Sequence, residues 1–150
     1  MSWVAPITDR TADDVAYARQ HRSSATDNKG ALNASDLNRI EGDCRYLADQ
    51  IAAYGYSISI TTKTDYAMSG WPAQAQLNRI RDNIEALQAA YYTLAGSPTM
   101  DFTTSIDWQD VNDIEQNLQN LKILIERMVE GFRRCGSFSF YSGTAVVLPA

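Results

Sequence analysis

The feature that most constrains this chain is an internal repeat. Leu37-Asn38-Arg39-Ile40-Glu41 is answered by Leu77-Asn78-Arg79-Ile80-Arg81 and again by Val111-Asn112-Asp113-Ile114-Glu115. The match continues through Asp43-Cys44 and Leu47, then Asn83-Ile84 and Leu87, then Asn117-Leu118 and Leu121. In each copy the apolar residues step by three and four, which places them on one helical face. The stripes are Leu37, Ile40, Cys44, Leu47 and Ile51; Leu77, Ile80, Ile84, Leu87 and Tyr91; and Val111 through Ile114, Leu118, Leu121, Ile125 and Met128 to Phe132. Three amphipathic helices with one shared stripe bury it most simply against each other, which predicts a three-helix bundle.

Flanking residues mark the helix ends. Asn33 and Asp107 stand at equivalent positions before copies one and three and can cap free backbone N–H groups. Asp36 and Asp110 follow three residues later, at the positive end of each helix dipole. Copy two has Trp71-Pro72 there, with proline suited to a first turn. Gly55, Gly96-Ser97-Pro98 and Arg133-Arg134-Cys135-Gly136 supply the stops. Thr11 and Asp14 predict a capping box for a short front helix, placed as a lid, with a polar connection from Ser23 to Gly30. Tyr56, Ile58 and Ile60 alternate with small polar residues, as in an extended segment or edge strand. Phe138 and Phe140 alternate with serines before Ser142-Gly143-Thr144 and Ala145 to Leu148, as in a β-hairpin or extended arm. The expected organisation is one mainly α domain. It has an arm over 1–10, a bundle over 11–134 and a C-terminal β element or arm over 135–150.

Composition narrows the function classes. The chain of 150 residues carries 13 basic and 18 acidic side chains, a net charge of −5, which argues against a nucleic-acid binder. One histidine and two cysteines give no zinc-spaced set and no disulfide scaffold. No apolar run is long enough for a bilayer, and the start has no leader pattern, so synthesis in the cytoplasm is expected and no membrane partner. No phosphate loop or nucleophile elbow occurs, and no cofactor or metal is expected.

The remaining chemistry has two readings at each point. Glu41 and Glu115 share a repeat position and could form a paired-carboxylate site. The simpler reading makes them solvated charges, with Arg39 meeting Asp43 and Arg81 meeting Glu85. Cys44 sits on the stripe and reads as core, Cys135 as the more reactive thiol, and His21 as a surface residue. Asn38, Asn78 and Asn112 could converge on a ligand. The structural alternative has each amide bonding the backbone of an adjoining connection, with the connections running back along the bundle. The long first connection, with Tyr54, Tyr56, Tyr66 and Trp71, could stack on sugar rings or anchor an interface. Alternatively Trp71 and Trp108 staple the helix entries.

Several stretches resemble a module of structural proteins from tailed phages and prophages of Gram-positive, often gut, bacteria. Pro6-Ile7-Thr8-Asp9-Arg10-Thr11 with Asp14-Val15 resembles its opening. Lys29-Gly30-Ala31-Leu32-Asn33 with Asp36 to Glu41 is similar to its most specific block. Tyr46-Leu47, Lys63-Thr64-Asp65-Tyr66, Arg79-Ile80-Arg81 with Asn83-Ile84, Met100-Asp101, Asn112 to Glu115, and Cys135 to Phe138 with Ser142-Gly143 continue it in order. The resemblance implies a non-enzymatic virion component of tail, baseplate or fibre, acting through self-assembly and docking to other virion proteins. A host-surface or glycan-binding module and a capsid decoration or head fibre are the alternatives. The expected interface residues are Trp3, Ile7, Tyr56, Tyr66, Trp71, Phe138, Phe140, Val146, Val147 and Leu148, in a homo-oligomer.

Overall fold

The structure, a computed structural model, describes residues 2–21, 28–67, 73–102 and 106–135. Among them are α1 (Ala12–Gln20), α2 (Ala34–Ala53), α3 (Gln74–Ala90) and α4 (Trp108–Cys135), and no strand. The three repeat copies are α2, α3 and α4, and each packs on the other two. By repeat register their stripes form three layers of one buried core: Ile40, Ile80 and Ile114; Cys44, Ile84 and Leu118; and Leu47, Leu87 and Leu121. All nine of these side chains are buried. Full burial of a leucine or isoleucine contributes about 1.5–3 kcal/mol, so these layers are the main source of stability.

The helices run parallel. Arg39 of α2 reaches Glu115 of α4, two residues past its own repeat counterpart. Arg79 of α3 likewise reaches Glu41 of α2. Further along, Gln88 of α3 and Tyr91, which follows it, bond Asn117 and the Leu124 carbonyl of α4. Parallel neighbours require each connection to travel back the length of the bundle. The connections do so as extended segments in the grooves between helices. Thr61 bonds Asn83 of α3 while Tyr66 bonds Asn38 of α2, so residues 61–66 lie in the α2/α3 groove. Pro98 bonds Asn117 of α4 and Phe102 bonds Gln74 of α3, which puts 98–102 in the α3/α4 groove. The arm closes the ring. Val4 bonds Asp43 of α2, and Arg10 bonds Asn112 of α4.

The caps follow from the sequence. Asn33 accepts from the N–H groups of Ser35 and Asp36, and Asp36 accepts from the Asn33 N–H. Asp107 and Asp110 repeat the arrangement at α4, and Thr11 and Asp14 at α1. At α3 the cap residue is Ala73, which has no acceptor, so only Gln76 reaches back. Trp71 and Pro72 lie outside the described residues. One expected end shifts. α3 stops at Ala90, and Gly96 (φ 82°) serves the following turn, where the Ser97 N–H bonds the Leu94 carbonyl. The 56–60 segment is extended without ladder partners, because its neighbours are helices. The C-terminal β-hairpin, with Phe138, Phe140, Val146, Val147 and Leu148, lies outside the described residues.

α1 buries only Ala18 and rests on the connection that follows it. A Cβ on Gly30 would lie 2.0 Å from the Asp14 carbonyl oxygen, so glycine is required by contact with the α1 backbone. Gly30→Ala therefore lowers stability by about 1–3 kcal/mol, read from urea unfolding midpoints. Ile84→Asp and Leu118→Asp place an unpaired charge at 0 % exposure. Each should abolish the cooperative thermal transition followed by circular dichroism.

Candidate functional site

The polar residues beside the apolar stripe form the site. Two repeat positions are clamps for passing backbone. At the first, the Asn38 amide accepts from the Tyr66 N–H at 2.8 Å and donates to its carbonyl at 3.1 Å. Asn112 does the same for Arg10, at 3.1 and 3.0 Å. Asn78 accepts from the Gln74 amide at 3.0 Å. At the second position Asn83 accepts from the Thr61 N–H and donates to its carbonyl, and Asn117 donates to the Pro98 carbonyl. Asp43, the third member, accepts from the Val4 N–H at 3.0 Å. A primary amide offers a donor and an acceptor side by side, so it satisfies an extended residue as a neighbouring strand would.

Between the clamps sit buried ionic junctions. In the α2/α4 groove Glu115 meets Arg10 at 2.7 Å and Arg39 at 2.8 Å. Asp36 meets Arg39 at 2.7 Å and Arg10 at 3.4 Å. Arg10 also donates to the carbonyls of Ile7 and Lys29, and the Ile7 N–H donates to Glu115. Two arginines and two carboxylates cancel in charge and satisfy most of each other's hydrogen-bonding capacity, the condition under which buried ions are tolerated. Burial opposes the Arg39 charge, yet the Glu115 and Asp36 carboxylates hold its pKa above the ordinary value. In the α2/α3 groove Glu41 accepts from the Lys63 N–H, the Tyr66 hydroxyl and Arg79. Burial, then the Glu41 carboxylate, pushes the Tyr66 hydroxyl up to about 12.

These contacts correct the sequence reading of Glu41 and Glu115 as solvated charges. Both are buried, at 0 % and 1 % exposure. Arg39 turns to Asp36 and across to Glu115 instead of to Asp43, because the arm brings Arg10 into the same junction and leaves the carboxylates facing inward. Arg81 does reach Glu85, at 3.8 Å, on the surface. A general base needs a lone pair open to substrate. These carboxylates give their oxygens to arginine, hydroxyl and backbone donors, so their role is structural. Among the described residues no three His, Cys, Asp or Glu side chains gather as a metal set.

The expected interface residues are placed as follows. The sequence reading offered the Trp3–Ile7 arm to a neighbour; in the structure it fills the chain's own groove. Trp3 packs on Tyr46 at 5.9 Å between ring centroids, with the Lys122 ammonium 5.4 Å from its ring centroid. Tyr56 meets the Tyr91 ring edge-on at 5.4 Å, and Tyr66 is held by Glu41 and Arg79. The first connection therefore spends Tyr56 and Tyr66 inward. Exposed aromatic surface lies elsewhere, at the far end of the bundle, where Tyr54 stacks on Phe132 at 5.6 Å. Cys44 is fully buried, and burial, with Glu41 and Asp43 nearby, pushes its thiol far up; Cys135 is exposed. His21 is exposed and stacks on Tyr17.

Sequence reasoning gave no buried clamp or junction role to Arg10, Asp36, Asp43, Asn83 and Asn117, all buried. The available signal was the recurrence of polar residues at one register beside the stripe, in particular Asp43, Asn83 and Asn117. Arg10 belongs to no repeat and carried no such signal.

Glu115→Ala leaves Arg10 and Arg39 short of a counter-charge, and a loss of about 3–5 kcal/mol is expected. Arg45→Ala, which removes the exposed Arg45–Asp49 pair, changes stability by less than about 1 kcal/mol. Urea denaturation of both variants checks the contrast.

Asp43 gives a pH dependence. Burial pushes its carboxyl up to about 6, against the opposing effects of the Val4 N–H and Arg39. Because its folded pKa lies above the unfolded value of about 3.9, the fold favours the protonated acid. Its contribution is full below pH 4 and is lost as pH rises through 6. Asp43→Asn, which copies Asn83 and Asn117, should raise the melting temperature by a few degrees at pH 7.5. The gain should shrink toward pH 4 in thermal melts across that range.

Comparison with family models, curated proteins and solved structures finds no match to this chain.

Proposed function

We propose that the protein is a non-enzymatic structural subunit of a phage particle, in the tail, baseplate or a fibre, working by self-assembly and docking to neighbouring virion proteins. The observation that carries this reading is the use made of the stretch that most resembles phage structural modules, Lys29 to Glu41. The Lys29 carbonyl accepts from Arg10, and Gly30 lies against α1. Asn33 caps α2, while Asp36 and Arg39 join the ionic junction. Asn38 and Glu41 hold the second extended segment. The resembling residues are thus scaffold residues, as a module reused for its shape requires.

Charge and geometry agree with a docking role. The buried ionic groups are consumed within the α2/α4 and α2/α3 grooves. Among the described residues the exposed large side chains are mostly aromatic: the Tyr54–Phe132 stack, Tyr92 and Tyr17. Aromatic side chains bury large areas at low entropic cost and are common anchors of protein interfaces. In this reading the C-terminal residues Val146, Val147 and Leu148 form an extended arm or hairpin that adds to a neighbour.

Immunogold electron microscopy of particles from an induced producing strain tests the proposal. Label on the tail tip, baseplate or fibres is the expected result. Label on the head moves the protein to capsid decoration. Unlabelled particles, with the epitope shown accessible and the protein left in the lysate, reject the virion role and bring the host-surface or glycan-binding reading forward. Separately, a chain lacking residues 143–150 should keep its helical circular-dichroism spectrum and fail to join the particle.

A further inference from the structure

The three grooves of the bundle are not filled to the same depth. Between α2 and α3 the extended segment starts directly after Gly55 (φ 89°) and runs to Tyr66. Tyr56, Ile58 and Ile60 pack half-buried on the core, while Ser57 and Ser59 face solvent. Between α3 and α4 the segment follows Gly96. Pro98, Met100 and Phe102 turn inward, and Thr99 and Asp101 outward. Between α4 and α2, by contrast, the arm fills the groove only from Trp3 to Arg10. Beyond Trp3, toward the C-terminal ends of the helices, a cavity of about 580 Å³ stays open, lined by the apolar Leu47, Ile125 and Val129 and by charged side chains that include Glu126, Glu130 and Arg133.

The ring order says what belongs there. The segment after α2 lies beside α3, and the segment after α3 lies beside α4. The segment after α4 therefore maps onto the α4/α2 groove. Its sequence has the same design: Gly136-Ser137-Phe138-Ser139-Phe140 matches Gly55-Tyr56-Ser57-Ile58-Ser59-Ile60 in setting apolar residues alternately with serine behind a glycine. Alternation of this kind gives an extended chain one apolar face. The length agrees too. α4 continues beyond the end of α2, whose last residue aligns with Arg127. From Cys135 back to Lys122, where Trp3 sits, the helix spans roughly 20 Å. About six extended residues cover that distance.

We propose that residues 137–142 of this chain fill the open half of the α2/α4 groove, antiparallel to α4, with Phe138 and Phe140 against Leu47, Ile125 and Val129. The segment meets the arm at Trp3, so that together they complete the third strap. The proposal stands on the groove and the repeat and does not depend on the virion reading.

Solution NMR on the full chain tests it. Expected are cross-peaks between the ring protons of Phe138 and Phe140 and the methyl groups of Ile125 and Val129. Amide exchange over 138–141 should be slowed at least about tenfold relative to a free peptide of that sequence. Both signatures should disappear in the Phe138→Ser, Phe140→Ser double variant. A mixture of labelled and unlabelled chains separates the sources. Cross-peaks confined to single chains support the proposal; cross-peaks between chains assign the groove to a second copy and overturn it. Unprotected amides without cross-peaks overturn it as well.

Discussion

An extended backbone laid between helices has no ladder to pair with, and every N–H and C=O it carries must still be satisfied once water is excluded. That constraint organises this protein. Parallel helices demand return segments, and the return segments demand partners. The helices supply them from the positions flanking their apolar stripes. Asn38 holds Tyr66, Asn83 holds Thr61 and Asn112 holds Arg10, each with a donor and an acceptor on one amide. The side chains thus perform the work of a β-sheet edge, which lets three helices and three straps alternate around one core.

The ionic junctions have a different role from the clamps. A buried pair is weak evidence for stability, because desolvation offsets much of the attraction. Its value here is positional. Glu115 is shared by Arg39 from α2 and by Arg10 from the arm, and it accepts the Ile7 N–H as well. Three pieces of chain distant in sequence are held to one register by a single carboxylate. Glu41 does the same for α3 and the second strap through Arg79, Lys63 and Tyr66. In the α3/α4 groove the corresponding positions carry Arg81 and Asp113, and Arg81 pairs instead with Asp82 and Glu85 on the surface. Two grooves thus hold a buried junction and the third does not, which distinguishes three otherwise similar faces.

The N-terminal arm is the least regular part. It is one of three straps by position, yet α1 and its connection stand between it and the helix it precedes. Lys29 and Gly30 bind that insertion back onto the arm through Asp9, Asp14 and the α1 backbone. Asp43 sits where the other repeats carry asparagine, so the arm's first bond is to a carboxylate whose ionisation burial disfavours.

The sequence by itself determined the three repeated helices, their apolar faces, the caps at Thr11, Asn33 and Asp107 and the burial of Cys44. Those features are local: a period of three to four residues and a capping side chain act within one turn. It left open whether the repeated asparagines faced a ligand or the backbone, and it misread Glu41 and Glu115 as solvated. Only the tertiary structure decided these points, because the partners of a side chain beside a stripe come from other elements. Parallel packing brings Arg79 to Glu41, and the arm brings Arg10 to Glu115, across separations that no periodicity reports. The direction of the helices was decided at the same level. A twenty-residue connection allows either orientation, and the clamps that select one are made only once the straps lie in the grooves.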